Sequence, residues 1–158
     1  MTEYRSGLGF DVHPTGNGAP LVLGGVRFDE HERLAGHSDG DVVCHALADA
    51  LLGAAALGDV GEHFPDTDPA VAGIAGPDLL ARAVALVRRA GLAPDAADVT
   101  VIALEPAIAP ARDEMRRRLS ELLGIPISRV SVKATRPEGL GLSGEGIGCL
   151  ALAVLRVG

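Results

Sequence analysis

A chain of 158 residues, 47% of them hydrophobic and with a formal charge of −7, is long enough to bury one core and too apolar to be disordered. The negative balance excludes nucleic acid and anionic membrane as principal partners, because both require a basic face that displaces counterions. No apolar run approaches the roughly 18 residues of a membrane span and no basic-then-apolar segment opens the chain, so residues 1–158 read as one cytoplasmic domain.

In chain order, Tyr4 to His13 reads as an extended strand, given its apolar residues and the following Pro14. Leu21 to Phe28 reads as a second strand interrupted by Gly24-Gly25, and the two strands are expected to form a hairpin. Ser38 or Asp39 can cap a helix running to about Leu57, whose apolar stripe is Val42, Val43, Ala46, Leu47, Ala50 and Leu51. Asp41, His45 and Asp49 fall on a different face at four-residue spacing, expected as a ligand with supporting carboxylates. Pro77-Asp78 opens a second helix that ends at Gly91, following the preference for proline at the first helical position and glycine just past the last. Ala97 to Leu104 reads as a buried strand, Arg112 to Leu123 as a helix stopped by Gly124, and Val130 to Ala134 and Ile147 to Val157 as strands. The order β-β-α-α-β-α-β-β predicts an α/β fold, a mixed β-sheet covered by helices, without repeats or linkers.

The chemistry concentrates in Asp11-Val12-His13 and in His45, 32 residues further on. In a strand, Asp11 and His13 point to the same side, because side chains alternate with period 2. His45 can add a third ligand from a helix, and two histidines with one carboxylate and an open fourth position suit a catalytic zinc ion. Taken alone, a D-x-H triplet is more often an ordinary loop pair than a metal site. Cys44 and Cys149 have no metal-type spacing and read as buried reduced thiols without a role. Arg116-Arg117-Arg118 lies among Asp113, Glu114 and Glu121 and reads as a solvated helix face. An acidic protein can bind a small polyanion if metals and local cations neutralise it, and Lys133 and Arg136 are those cations here.

Gly9-Phe10-Asp11-Val12-His13, Leu23-Gly24-Gly25-Val26, Gly36 to His45, Asp49 to Gly61, Phe64-Pro65-Asp66-Thr67-Asp68-Pro69 and Val132-Lys133-Ala134-Thr135 carry a nearly end-to-end resemblance. The chain resembles the 2-C-methyl-D-erythritol 2,4-cyclodiphosphate synthase family. The resemblance implies a lyase of non-mevalonate isoprenoid biosynthesis, a homotrimer with active sites between subunits. Its substrate would be 4-diphosphocytidyl-2-C-methyl-D-erythritol 2-phosphate, converted to the cyclic diphosphate with release of CMP. It further implies one zinc ion per chain on Asp11, His13 and His45, and a second divalent ion, magnesium or manganese, on Glu138. His37 and Ser38 match the pair at the 2-phosphate and erythritol, with His37, Lys133 and Arg136 as the catalytic candidates. Asp59 and Gly61 match ribose-binding positions, and Phe64, Asp66 and Asp68 the loop around the methylerythritol. The stretch Ala103 to Ala109, supplied by the neighbouring subunit, would hold the cytosine together with Ala134 and Thr135. Phe10 and the apolar last strand would line the three-fold axis.

Two departures accompany this likeness. Arg136 stands where the family usually has a second threonine after Lys-Ala-Thr. Gly141-Leu142-Ser143-Gly144-Glu145-Gly146 is shorter by two residues than the family's usual segment and lacks its arginine and aromatic, so a central channel would differ. Two other readings stay open from sequence: a non-catalytic trimer that binds cytidine nucleotides, and a zinc phosphohydrolase that directs water at the open metal position.

Overall fold

The computed structural model describes residues 2–16, 20–28, 33–34, 39–141 and 146–158. Strand β1 (Tyr4–Gly16) is followed by the short strands β2 (Leu21–Leu23), β3 (Val26–Phe28) and β4 (Arg33–Leu34). Helices α1 (Val42–Ala54), α2 (Val60–His63) and α3 (Gly76–Arg89) come next, then β5 (Leu92–Ile102), α4 (Arg112–Leu123), β6 (Val130–Thr135) and β7 (Gly146–Val157). The main sheet is mixed, in the order β4-β1-β7-β5-β6. Strand β7 runs antiparallel to both β1 and β5, and β5 pairs with β6 in parallel.

Three expectations change. The first two predicted strands do not pair with each other: β1 pairs with the last strand, from Tyr4 opposite Arg156 to Pro14 opposite Gly146. Leu21 to Phe28 is instead a hairpin by itself, β2 against β3, because Gly24 and Gly25 both take positive φ (60° and 74°) and turn the chain between them. The helix expected from Ser38 or Asp39 to about Leu57 is α1, capped by Asp41 and ending at Ala54. Asp41 is fully buried, and its carboxylate accepts N–H bonds from Gly24, Gly25, Val43 and Cys44 at 2.8–3.1 Å. It therefore ties the β2–β3 turn to the start of α1 and acts on the His45 imidazole through its charge, with its carboxylate bonded to backbone N–H groups.

Helix α1 lies on β1 at very close range. A Cβ placed at Gly7 would stand 2.1 Å from the Ala50 carbonyl oxygen, and one at Gly9 would stand 1.9 Å from that of Ala46, so only glycine admits this contact. Because strand residues alternate, the face that carries Gly7 and Gly9 toward α1 also carries Asp11 and His13. The core lies between helices and sheet and includes Leu47, Leu51, Leu80, Val87, Val99, Met115, Leu119, Ile147 and Leu155. On the opposite face Leu8, Phe10, Val12, Leu150 and Leu152 are exposed, with Leu8 directly opposite Leu152 and Phe10 opposite Leu150. Among the described residues no helix is long and apolar enough to cross a membrane.

Candidate metal centre

Asp11 and His13 reach the helical side of the sheet from β1, and His45 meets them from the first turn of α1. One ligand atom from each lies within 4.8 Å of the others. Asp11 Oδ2 stands 2.9 Å from His13 Nε2 and 3.3 Å from His45 Nδ1, and the imidazole centroids are 5.5 Å apart. Yet Asp11 Oδ2 and His45 Nε2 are buried without a satisfied hydrogen bond. Ligand atoms gathered this closely, two of them buried without a hydrogen-bond partner, fit a metal ion among them, and the two-histidine, one-carboxylate set fits a borderline-soft divalent ion. Burial alone would raise the Asp11 carboxyl, but the contacts and charges of His13 and His45 outweigh it and hold its pKa down to about 2. Burial works against charge on His45 too, and the Asp11 carboxylate overrides it, placing that imidazole above its ordinary value.

The surroundings of the triad are built by capping bonds. Asp49, one turn beyond His45 on α1, accepts the Val60 N–H at 2.9 Å, and Asp59 accepts that of Glu62 at 2.8 Å, so both carboxylates hold α2 beside the cluster. Asp49 thus acts as a strut between two helices, where spacing alone suggested a carboxylate supporting the ligand. His13 and His45 open onto a cavity of about 560 Å³, lined also by Gly61, Phe64 and Asp66. Asp11, His45, Asp49, Asp59 and Gly61 line an adjoining cleft with Phe10. Asp68 turns the same loop by accepting the Ala70 N–H at 2.9 Å. His37 and Ser38 lie outside the described residues, as do Leu142 to Glu145.

A second cavity, of about 320 Å³, forms at the far end of β5 and β6. It is lined by Ala103 through Ala109 together with Ala134, Thr135 and Arg136, the stretches that the resemblance brings together, and by Arg112, which sequence reading passed over. An N–H bond from Ala103 to the Thr135 carbonyl, 3.1 Å, closes the loop onto the strand end. Glu138 follows in an exposed turn with φ 51°, held by the Leu140 N–H on the Pro137 carbonyl. Lys133 enters neither cavity: on the open face of the sheet its Nζ lies 2.7 Å from Asp98 Oδ2. The two cavities share no lining residue, so a single chain presents the triad and the Ala103–Ala109 pocket as separate halves. Cys44 and Cys149 are buried and free, as expected.

A family model, described as the YgbB family, matches residues 4–157. The 2-C-methyl-D-erythritol 2,4-cyclodiphosphate synthase of Idiomarina loihiensis is 48% identical over 155 residues, which cover 97% of this chain and 98% of that protein. The structure of the bifunctional IspDF from Campylobacter jejuni superposes on the whole chain with a TM-score of 0.93 and 39% identity, and the chain spans 43% of it. A 2C-methyl-D-erythritol-2,4-cyclodiphosphate synthase in its CDP-bound form covers 96% of this chain and 99% of its own, with a TM-score of 0.87 and 35% identity. Matched along nearly its whole length in sequence and in backbone, the chain belongs to the YgbB family, that of the 2-C-methyl-D-erythritol 2,4-cyclodiphosphate synthases.

Proposed function

We propose that this chain cyclises 4-diphosphocytidyl-2-C-methyl-D-erythritol 2-phosphate. An oxygen of the 2-phosphate bonds to the β-phosphorus, the bond from that phosphorus to the α,β-bridging oxygen breaks, and CMP departs with the bridging oxygen. Nucleophile and electrophile belong to one molecule, so the protein supplies no nucleophile. Its task is to fold the substrate into attack geometry, a service worth roughly 7–11 kcal/mol when orientation is complete.

Asp11, His13 and His45 would hold one zinc ion per chain, which when bound supplies Lewis-acid polarisation of a phosphate oxygen. Glu138 would hold a second, hard divalent ion, magnesium or manganese, at the diphosphate. Asp59 and Gly61 hold the ribose hydroxyls, and Phe64, Asp66 and Asp68 surround the methylerythritol. His37 and Ser38 contact the 2-phosphate, while Ala103 to Ala109 with Ala134 and Thr135 receive the cytosine. Arg136 completes the local positive charge, and Lys133, the other catalytic candidate, would first have to leave its pair with Asp98.

A homotrimer belongs to this reading, because the halves that one chain keeps apart would meet between neighbours. Burial of the open sheet face in that assembly accounts for Leu8, Phe10, Leu150 and Leu152, large apolar groups that a monomer would leave in water. A cytoplasmic location accords with two unpaired thiols.

The observation that carries the proposal is the Asp11-His13-His45 cluster at the mouth of the larger cavity. Protein stripped of metal should release no CMP from the diphosphocytidyl substrate and should regain release on addition of zinc. An undiminished rate in the stripped protein would overturn the reading.

A further inference from the structure

We infer that Arg112 and Arg136 together grip the phosphates of the nucleotide held in the Ala103–Ala109 pocket, so that this chain retains cytidine nucleotides largely by charge. The inference rests on the nucleotide reading of that pocket. Its floor is apolar, with Ala103, Pro106 and Ile108 buried, whereas the charged lining groups, Glu105, Arg112 and Arg136, are exposed. Two cations against one carboxylate form an electropositive rim in a protein of net charge −7.

Several basic side chains elsewhere are engaged within the protein, and those that are not among the described residues, Arg82, Arg89, Arg117 and Arg156, lie outside this pocket. Arg5 pairs with Glu3, Arg129 with Asp95 and Lys133 with Asp98, while Arg116 meets Asp113 and the carbonyls of Ile127 and Val130. Arg112 and Arg136 make no ion pair and no side-chain hydrogen bond among the described residues. Helix stability does not explain Arg112 either. It is the first residue of α4, at the positive end of the helix dipole, where a cation is disfavoured, and Asp113 beside it is already engaged by Arg116. Arg136 stands directly before Pro137, which restricts its backbone to extended conformations and so limits how it can leave the rim.

Two guanidinium groups that outnumber the single carboxylate on one rim, neither of them paired with it, favour an anion between them. Their planar forks match phosphate oxygens, whereas the hydroxyls and amide-like edges of a nucleoside offer no charge to satisfy. The ligand class is accordingly a cytidine mono- or diphosphate, bound more tightly as phosphates are added and less tightly as salt is raised.

The test is calorimetric titration of the metal-loaded full chain with CDP, CMP and cytidine. Arg112→Ala and, independently, Arg136→Ala should each weaken CDP binding by about tenfold, the scale of one charge-assisted contact, and leave cytidine within about twofold. Arg117→Ala, an exposed arginine of the same helix outside the pocket, should change neither. CDP binding that survives both substitutions overturns the inference. So does an equal loss for cytidine and CDP, which would make these arginines base contacts. If wild-type protein binds neither ligand, the nucleotide reading of the pocket itself has failed.

Discussion

Replacing Gly9 with alanine is expected to unseat α1 from β1 and to dismantle the metal centre with it. The new Cβ would stand 1.9 Å from the Ala46 carbonyl oxygen and 2.8 Å from the Ala50 nitrogen, both of them helix backbone that no side-chain rotation can move. Restoring a contact near the ~3.5 Å optimum requires α1 to withdraw by more than about 1 Å. His45 would travel with the helix, while Asp11, two residues along the strand, would not. A metal site tolerates roughly ±0.2 Å in its ligand distances, so a shift of this size should cost at least about tenfold in zinc affinity. Overpacking costs typically ~1–3 kcal/mol, and a backbone clash belongs at the upper end. At ~2–4 °C per kcal/mol for a chain of this size, the melting temperature should fall by roughly 6–12 °C. Scanning calorimetry of the metal-free protein and competition with a chromophoric chelator read the two effects separately. Gly53→Ala is the control: a Cβ there meets nothing within 4 Å, and alanine in a helix should stabilise slightly. Wild-type melting and zinc affinity in Gly9→Ala would refute the packing argument.

Other outcomes follow from the same geometry. His45→Ala should lose both bound zinc and turnover, whereas Glu138→Gln should keep zinc but need far more magnesium or manganese, since an amide is a poorer ligand for a hard cation; metal analysis and metal-dependence curves check both. The pH response of the metal-free protein has a definite sign. Burial disfavours the His45 imidazolium and Asp11 favours it more, so its pKa is raised on folding and its stabilising contribution is complete below the unfolded value of ~6.5. That contribution is lost as pH rises through the folded value, so the metal-free melting temperature should decline from about pH 6 to pH 9. The zinc-loaded protein should show the opposite trend, because the metal requires neutral imidazole; a rise in the metal-free protein would contradict the assignment. Burial pushes the Cys44 and Cys149 thiols up, and both should resist a thiol reagent until the protein is unfolded, when both react.

Local signals in the sequence located much of this structure. Helix α4 begins at Arg112 and ends at Leu123 because Gly124, with φ 69°, turns the chain where the pattern stops, and the proline at the start of α3 is equally legible. The triad was legible too, since strand alternation alone puts Asp11 and His13 on one side. Pairing was not: β1 could have taken β2 as a neighbour, and nothing local states that β7 lies beside it instead. Asp41 lies one turn before His45 as the spacing says, but as the helix cap it turns its carboxylate onto backbone N–H groups, which spacing alone does not reveal. Gly7 and Gly9 carried a signal that was passed over, as alternate glycines on one face of a strand mark the close approach of another backbone. Arg112 is not legible because the pocket it shares with Arg136 is assembled from segments remote in sequence, the start of α4 and the end of β6.

Product identity tests the central claim most directly. The metal-loaded protein would be incubated with 4-diphosphocytidyl-2-C-methyl-D-erythritol 2-phosphate in isotopically labelled water, and the products resolved by mass spectrometry. The expected result is CMP and 2-C-methyl-D-erythritol 2,4-cyclodiphosphate in equal amounts, neither carrying the label, because the attacking oxygen belongs to the substrate. A linear phosphorylated product with labelled oxygen would mean hydrolysis at the metal, and nucleotide binding without turnover would mean a site that only holds its ligand; either result contradicts a cyclising enzyme.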